Sequence, residues 1–231
     1  MKVPNLNLAI SRISFLTAIF GIISLGIGMF SPPVSGPFCT GNCIDYPYTN
    51  ILSRFPRDYF WMFPAIILNL LFVGLIAMIH RTSEISKSFY SQIALSFSII
   101  SAAILIIDYF IQITVIQPSL LKGEMNGISI LTQYNPHGIF IALEEIGYLI
   151  MSLALLLLVP IFSKSIKLER AIITIFILCF ALTFSAFIII AAKYGLNREY
   201  RFEVAAITIN WFTLILAGFI LSVIFRRKIL N

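Results

Sequence analysis

Charge is what this sequence has least of. Only 11% of its 231 residues are Asp, Glu, Lys or Arg, against about a quarter in ordinary soluble domains. Such a chain cannot clothe a water-facing surface, which excludes a soluble globular domain and makes lipid its main solvent. Cysteine is sparse too. Three residues are too few to staple a secreted disulfide scaffold. Low-complexity tracts and internal repeats are missing. So are the runs H-E-x-x-H and G-x-S-x-G, the signatures of zinc proteases and serine hydrolases. The net charge of +6 does not indicate nucleic acid, because the basic residues fall at segment ends and form no single patch.

What remains is apolar. Hydrophobic residues make up 59% of the chain and gather in six runs, at about 13–30, 60–79, 89–117, 138–162, 171–192 and 204–225. These lengths match the roughly 20 residues that an α-helix needs to cross a bilayer. Spanning β-strands would alternate over about ten residues, and these runs do not. The expected fold is all-α: a polytopic membrane protein whose residues 1–231 form one bundle of six transmembrane helices. The first run follows Lys2 and Arg12, as a signal peptide would, but is long for that role and reads as a retained helix. One of its faces carries Ser14, Ala18, Gly21 and Gly28, with Ser24 beside them. Small residues let helix backbones approach closely in lipid.

Six crossings put both termini on one side. With both termini inside, ten Lys and Arg residues lie on the inner side and six on the outer. The excess favours cytoplasmic termini in the cytoplasmic (plasma) membrane. The long connections, 31–59 and 118–137, then face outward. The first holds Cys39 and Cys43. An oxidising exterior favours a disulfide between them over free thiols, and that loop has no His to complete a zinc site. Cys179 reads as core.

Two runs carry acids where a membrane helix should have none. Asp108 and Gln112 lie in the third, Glu144, Glu145 and Tyr148 in the fourth. Counted from the outer ends of the runs, Asn69, Asp108, Glu144 and Asn210 sit at a common depth of about 10–15 Å. Asp108 and Gln112 share a helical face. So do His137, Ile141, Glu144 and Tyr148, while Glu145 is turned by about 100°. His137 follows Asn135-Pro136 at the mouth of the fourth helix, where it would bind a metal, gate a proton or simply end the helix. An ionised acid in hydrocarbon costs about 2.5–3.5 kcal/mol, and no Lys or Arg lies in these spans at that depth. The acids must therefore hold or share protons, or meet water or a cation. Two roles remain open for them: a neutral hydrogen-bonded network between helices, or a functional pocket.

The expected function is binding or transport of a small molecule or ion in an outward-facing acidic pocket, with proton linkage. An intramembrane acid/base enzyme acting on a lipid-like substrate is the alternative, and a non-catalytic assembly subunit the third. Membrane lipids are the expected partners, with a small-molecule or ion ligand. The sequence calls for no cofactor, metal or nucleic acid, and carries no feature that sets an oligomeric state. The topology is testable with reporter fusions. A reporter after Asn231 should report cytoplasm and one within 31–59 the exterior; an exported C-terminus would overturn the orientation.

Overall fold

A computed structural model describes residues 3–31 and 33–230, so Lys2 and Asn231, used above for topology, lie outside the described residues. The described chain is all-helical, without a strand. Six segments are long and apolar enough to cross a membrane: Leu6–Gly28, Arg57–Thr82, Ile85–Lys122, Ile139–Ile161, Lys167–Asn197 and Tyr200–Ile229.

The helices run up and down in sequence order. Helix α1 (Val3–Gly28) leads to α2 (Met62–Thr82), then α3 (Ser88–Ile111). A π-helical turn, Gln112–Ile116, joins α3 to α4 (Gln117–Lys122). A short α5 (Ile128–Leu131) lies in the next connection, followed by α6 (Ile139–Leu157), α7 (Lys167–Tyr194) and α8 (Tyr200–Leu230). Neighbours pack in the order α1, α2, α3, α6, α7, α8, and α8 returns to α1, closing a ring; α6 also touches α8. Both chain ends lie at one end of the bundle, where Asn7 Nδ2 donates to the Lys228 carbonyl at 3.5 Å. We call this the terminal end and the opposite one the loop end.

Several boundaries differ from those read in the sequence, and each has a cause. Helix α1 begins at Val3 rather than near 13 because its polar first turns are covered by α8. Ser11 Oγ donates to the Ser222 carbonyl at 2.9 Å, and an apolar-run criterion passes over such turns. The third helix continues to Lys122 instead of stopping at Gln117. Pro118 has no N–H and its ring crowds the carbonyl of Thr114, so the backbone widens into the π turn just before it. Gly123, at φ +72°, then ends the segment in the left-handed conformation.

The tightest seam joins α1 and α8. The small face of α1 is turned to it. A methyl group on Gly218 would sit 2.6 Å from the Ser14 carbonyl oxygen and 2.9 Å from Ala18 Cβ, and one on Gly21 would sit 2.8 Å from Ile215. At the loop end Cys39 and Cys43 are joined by a disulfide. A pair of substitutions tests the seam. Gly218→Ala should destabilise the solubilised protein by about 1–3 kcal/mol through overpacking. Gly26→Ala, which meets nothing within 4 Å, should stabilise α1 by up to about 1 kcal/mol. Thermal unfolding in detergent reads both, and equal effects would contradict the seam.

Candidate functional site

The acids meet in the loop-end half of the bundle, where α3, α6 and α8 converge. Glu144 projects from α6 and is completely buried. Tyr109, from α3, donates its hydroxyl proton to Glu144 Oε1 at 2.7 Å. Tyr148, one helical turn below Glu144, lies 2.7 Å from the Tyr109 oxygen. Because Tyr109 has given its only proton to the carboxyl, Tyr148 donates to Tyr109. On its other side Glu144 faces Glu203 of α8 within electrostatic reach, and Glu144 Oε2 has no hydrogen-bond partner among protein atoms. Two ionised carboxyls side by side in an apolar surrounding repel, which favours a proton on one of them. Asp108 is buried within electrostatic reach of Glu144, and its Oδ2 has no partner among protein atoms.

Glu203 connects this chain of polar groups to space. It lines a cavity of about 330 Å3 between the loop-end halves of α1, α6 and α8. The cavity walls include Trp61, Phe140, Ile141 and Trp211, and Met29, 76% exposed, marks its mouth. The aromatic rings brace one another: Trp61 lies 5.9 Å from Trp211 and 5.1 Å from Tyr109, centroid to centroid. Glu144 and Asp108 are not among the lining residues. They stand behind the wall, and the acids at the surface of the space are Glu203 and, at the rim, Asp58.

The rim comes from the long connections. Tyr134 donates to Asp58 Oδ2 at 3.2 Å, and Arg57 Nε donates to Asp58 Oδ1 at 2.7 Å. Burial pushes the Tyr134 phenol well above its ordinary pKa, so it stays a donor. Ser35 Oγ donates to the Tyr134 carbonyl at 2.6 Å and lies 2.7 Å from the Tyr200 hydroxyl, which donates to the Gln133 carbonyl. These bonds tie the first two long connections to the start of α8.

The structure separates the residues that the sequence grouped. Asp108, Glu144 and Tyr148 come together. Glu145 turns away and forms a bidentate pair with Arg198, with Arg198 Nη2 2.6 Å from Glu145 Oε2. That corrects the expectation of acids without basic partners. Arg198 belongs to the turn after α7, and its long side chain reaches one helical turn down to Glu145. The hydrogen bond to Glu145 holds the guanidinium further above its ordinary pKa. Gln112 is spent on the connection above it: its amide nitrogen donates to the Leu131 carbonyl at 2.6 Å, and its oxygen accepts from Gln133 N at 2.9 Å. Asn69 bonds back to Ala65 in its own helix. Asn210 faces α7, accepting from Cys179 Sγ at 3.6 Å and donating to Thr183 at 3.4 Å. His137 is exposed, with its backbone N–H held by Asn135 Oδ1.

Asp108 and Glu144 do lie level, since Ser101 donates to the Gly147 carbonyl and Tyr109 to Glu144 across the α3–α6 contact, but not because they are equally far from their helix ends. Glu144 is only five residues inside α6, which starts at Ile139, whereas Asp108 is fourteen residues from Lys122. What unites these groups is the antiparallel register of α3 against α6. The residues that sequence reasoning missed are Glu203, Trp61 and Trp211 as cavity walls, and Arg198 as a partner. Glu203 falls just outside the sixth apolar run, 204–225. A signal for it existed, since Glu203, Ile207, Asn210 and Trp211 follow the i, i+4, i+7, i+8 spacing of one inward face. No protein-family model, curated protein or solved structure matches this chain.

The Glu145–Arg198 pair is separable from the cavity. Arg198→Gln leaves a buried charge on Glu145 and should destabilise the protein by about 2 kcal/mol. Adding Glu145→Gln should recover most of that loss. Chemical denaturation in detergent measures both, and additive losses in the double variant would contradict the pairing.

Proposed function

We propose that this is a multi-pass protein of the cytoplasmic membrane, with cytoplasmic termini, that binds or transports a small amphiphilic cation through its outward-facing cavity, in exchange for a proton. The observation that carries this reading is that Glu203 lines an aromatic cavity and faces the buried Glu144 behind it. A carboxylate beside the faces of Trp61 and Trp211 suits an ammonium group, because ring quadrupoles attract cations and a desolvated carboxylate completes the charge. The apolar walls suit a short hydrocarbon. A mouth at the loop ends of α1 and α8 gives such a ligand access from the outer leaflet. Among the described residues no three His, Cys, Asp or Glu side chains converge as a metal site needs, so an organic cation fits better than a divalent ion.

Proton linkage follows from the carboxyl pair. A cation that takes the charge of Glu203 removes the need for the proton between the two acids. Binding then releases that proton, and affinity rises with pH. The Tyr109–Tyr148 chain keeps the second oxygen of the pair hydrogen-bonded while this happens. The same chain would serve an acid/base enzyme acting on a lipid-like substrate. In that case Tyr109→Phe would abolish turnover while leaving ligand binding intact.

The chain has two tryptophans, and both line the cavity, so their fluorescence reports on it directly. Titration with a short-chain alkylammonium should quench it saturably. Affinity should rise by up to about tenfold per pH unit as one proton is released. Glu203→Gln should lower affinity at least tenfold and flatten the pH dependence. A flat pH profile in the unmodified protein, or unchanged affinity in Glu203→Gln, would reject the proposal.

A further inference from the structure

The terminal end of the α1–α8 seam carries a second concavity, unconnected with the aromatic cavity. It has a volume of about 590 Å3 and is lined by Leu8, Ser11, Arg12, Phe15, Leu16, Ser222 and Arg226. Its origin is the small side chains of the seam. Ser11 and Ser222 lie side by side, their hydroxyls 3.3 Å apart, so a trough opens between the bulkier residues on either side. Leu8, Phe15 and Leu16 are 39%, 47% and 44% exposed and form an apolar wall.

Two arginines stand in this trough at different depths. Helices α1 and α8 run antiparallel, with Ser11 level with Ser222. Arg12 is therefore level with Ser222, and Arg226 lies one helical turn, about 6 Å, nearer the terminal end. Both side chains are exposed, and among the described residues neither makes an ion pair or a side-chain hydrogen bond. By contrast, nearby Lys228 is 3.0 Å from Glu169. In the proposed membrane placement, Arg12 thus enters the apolar belt with no protein anion to meet it. A guanidinium there is expensive unless it reaches an anionic group.

We infer that this trough is a binding site for one anionic phospholipid of the cytoplasmic leaflet. The lipid phosphate bridges Arg12 and Arg226, whose planar forks match phosphate oxygens. An acyl chain lies along Leu8, Phe15 and Leu16. Basic pockets between helices on the cytoplasmic side are where anionic headgroups are held. This inference needs the membrane and its orientation from the proposal above, but not the cation cavity.

Native mass spectrometry of the full chain, released from nanodiscs of mixed phosphatidylglycerol and phosphatidylcholine, tests it. The unmodified protein should retain one phosphatidylglycerol in preference to phosphatidylcholine by about 30-fold, the value expected for two arginines at the membrane surface. R12Q/R226Q should lose that preference, whereas R12K/R226K, which keeps both charges, should retain most of it. Millimolar inorganic phosphate should not displace the lipid. Three results would overturn the inference: equal retention of the two lipids, an undiminished preference in R12Q/R226Q, or displacement by free phosphate. Alkylammonium titration of the same R12Q/R226Q sample should be unchanged, which reports that the bundle is folded and keeps this test separate from the cavity.

Discussion

Glu144 and Glu203 face each other inside an apolar bundle, where two ionised carboxyls without a basic partner would repel. Much of the loop-end half is arranged around that constraint. Tyr109 and Tyr148 satisfy one side of the pair in series, each at 2.7 Å. The aromatic rings of Trp61, Tyr109 and Trp211 shield it from bulk water. Of the two, only Glu203 lines the cavity. A purely structural polar network would have no reason to leave one member of the pair at the wall of an open space. In the proposed reading that asymmetry matters, because a ligand meets one carboxyl and the shared proton responds.

The remaining acids illustrate different solutions to the same problem. Glu145 sits next to Glu144 in sequence but points about 100° away and uses Arg198 as a counter-ion. Asp58 is held by Arg57 and Tyr134 at the rim. Glu169, at the terminal end, accepts from the backbone of Ser163 and meets Lys228. Each of these three has found a donor that neutralises it. Asp108 has not, and lies within reach of Glu144 with an unpartnered oxygen.

The six helices were legible because apolar length is a local property of each run. The closeness of Cys39 and Cys43 was legible for the same reason, being four residues apart. So was the packing face of α1, since small residues at helical spacing let backbones approach closely. Helix ends were less legible. The polar first turns of α1 and the passage through Pro118 depend on what packs against them. The site was half legible. Asp108, Glu144 and Tyr148 stood out as polar groups in apolar runs, but Glu203 and Arg198 looked like the ordinary charges that flank a span. Their roles depend on side-chain reach across helix ends, which no count of residues along one helix reveals. Asn69 and Asn210, at similar counted depths, turned out to serve their own helix or the α7–α8 contact.

The central claim is that Glu144 and Glu203 share one proton at neutral pH and that a cation in the cavity releases it. Infrared difference spectroscopy of the purified protein, with and without a saturating alkylammonium, measures this most directly. The account predicts a protonated-carboxyl band that disappears on ligand binding, is absent from Glu144→Gln and Glu203→Gln difference spectra, and is unaffected by Glu145→Gln. A spectrum in which ligand binding leaves every carboxyl band unchanged would contradict it.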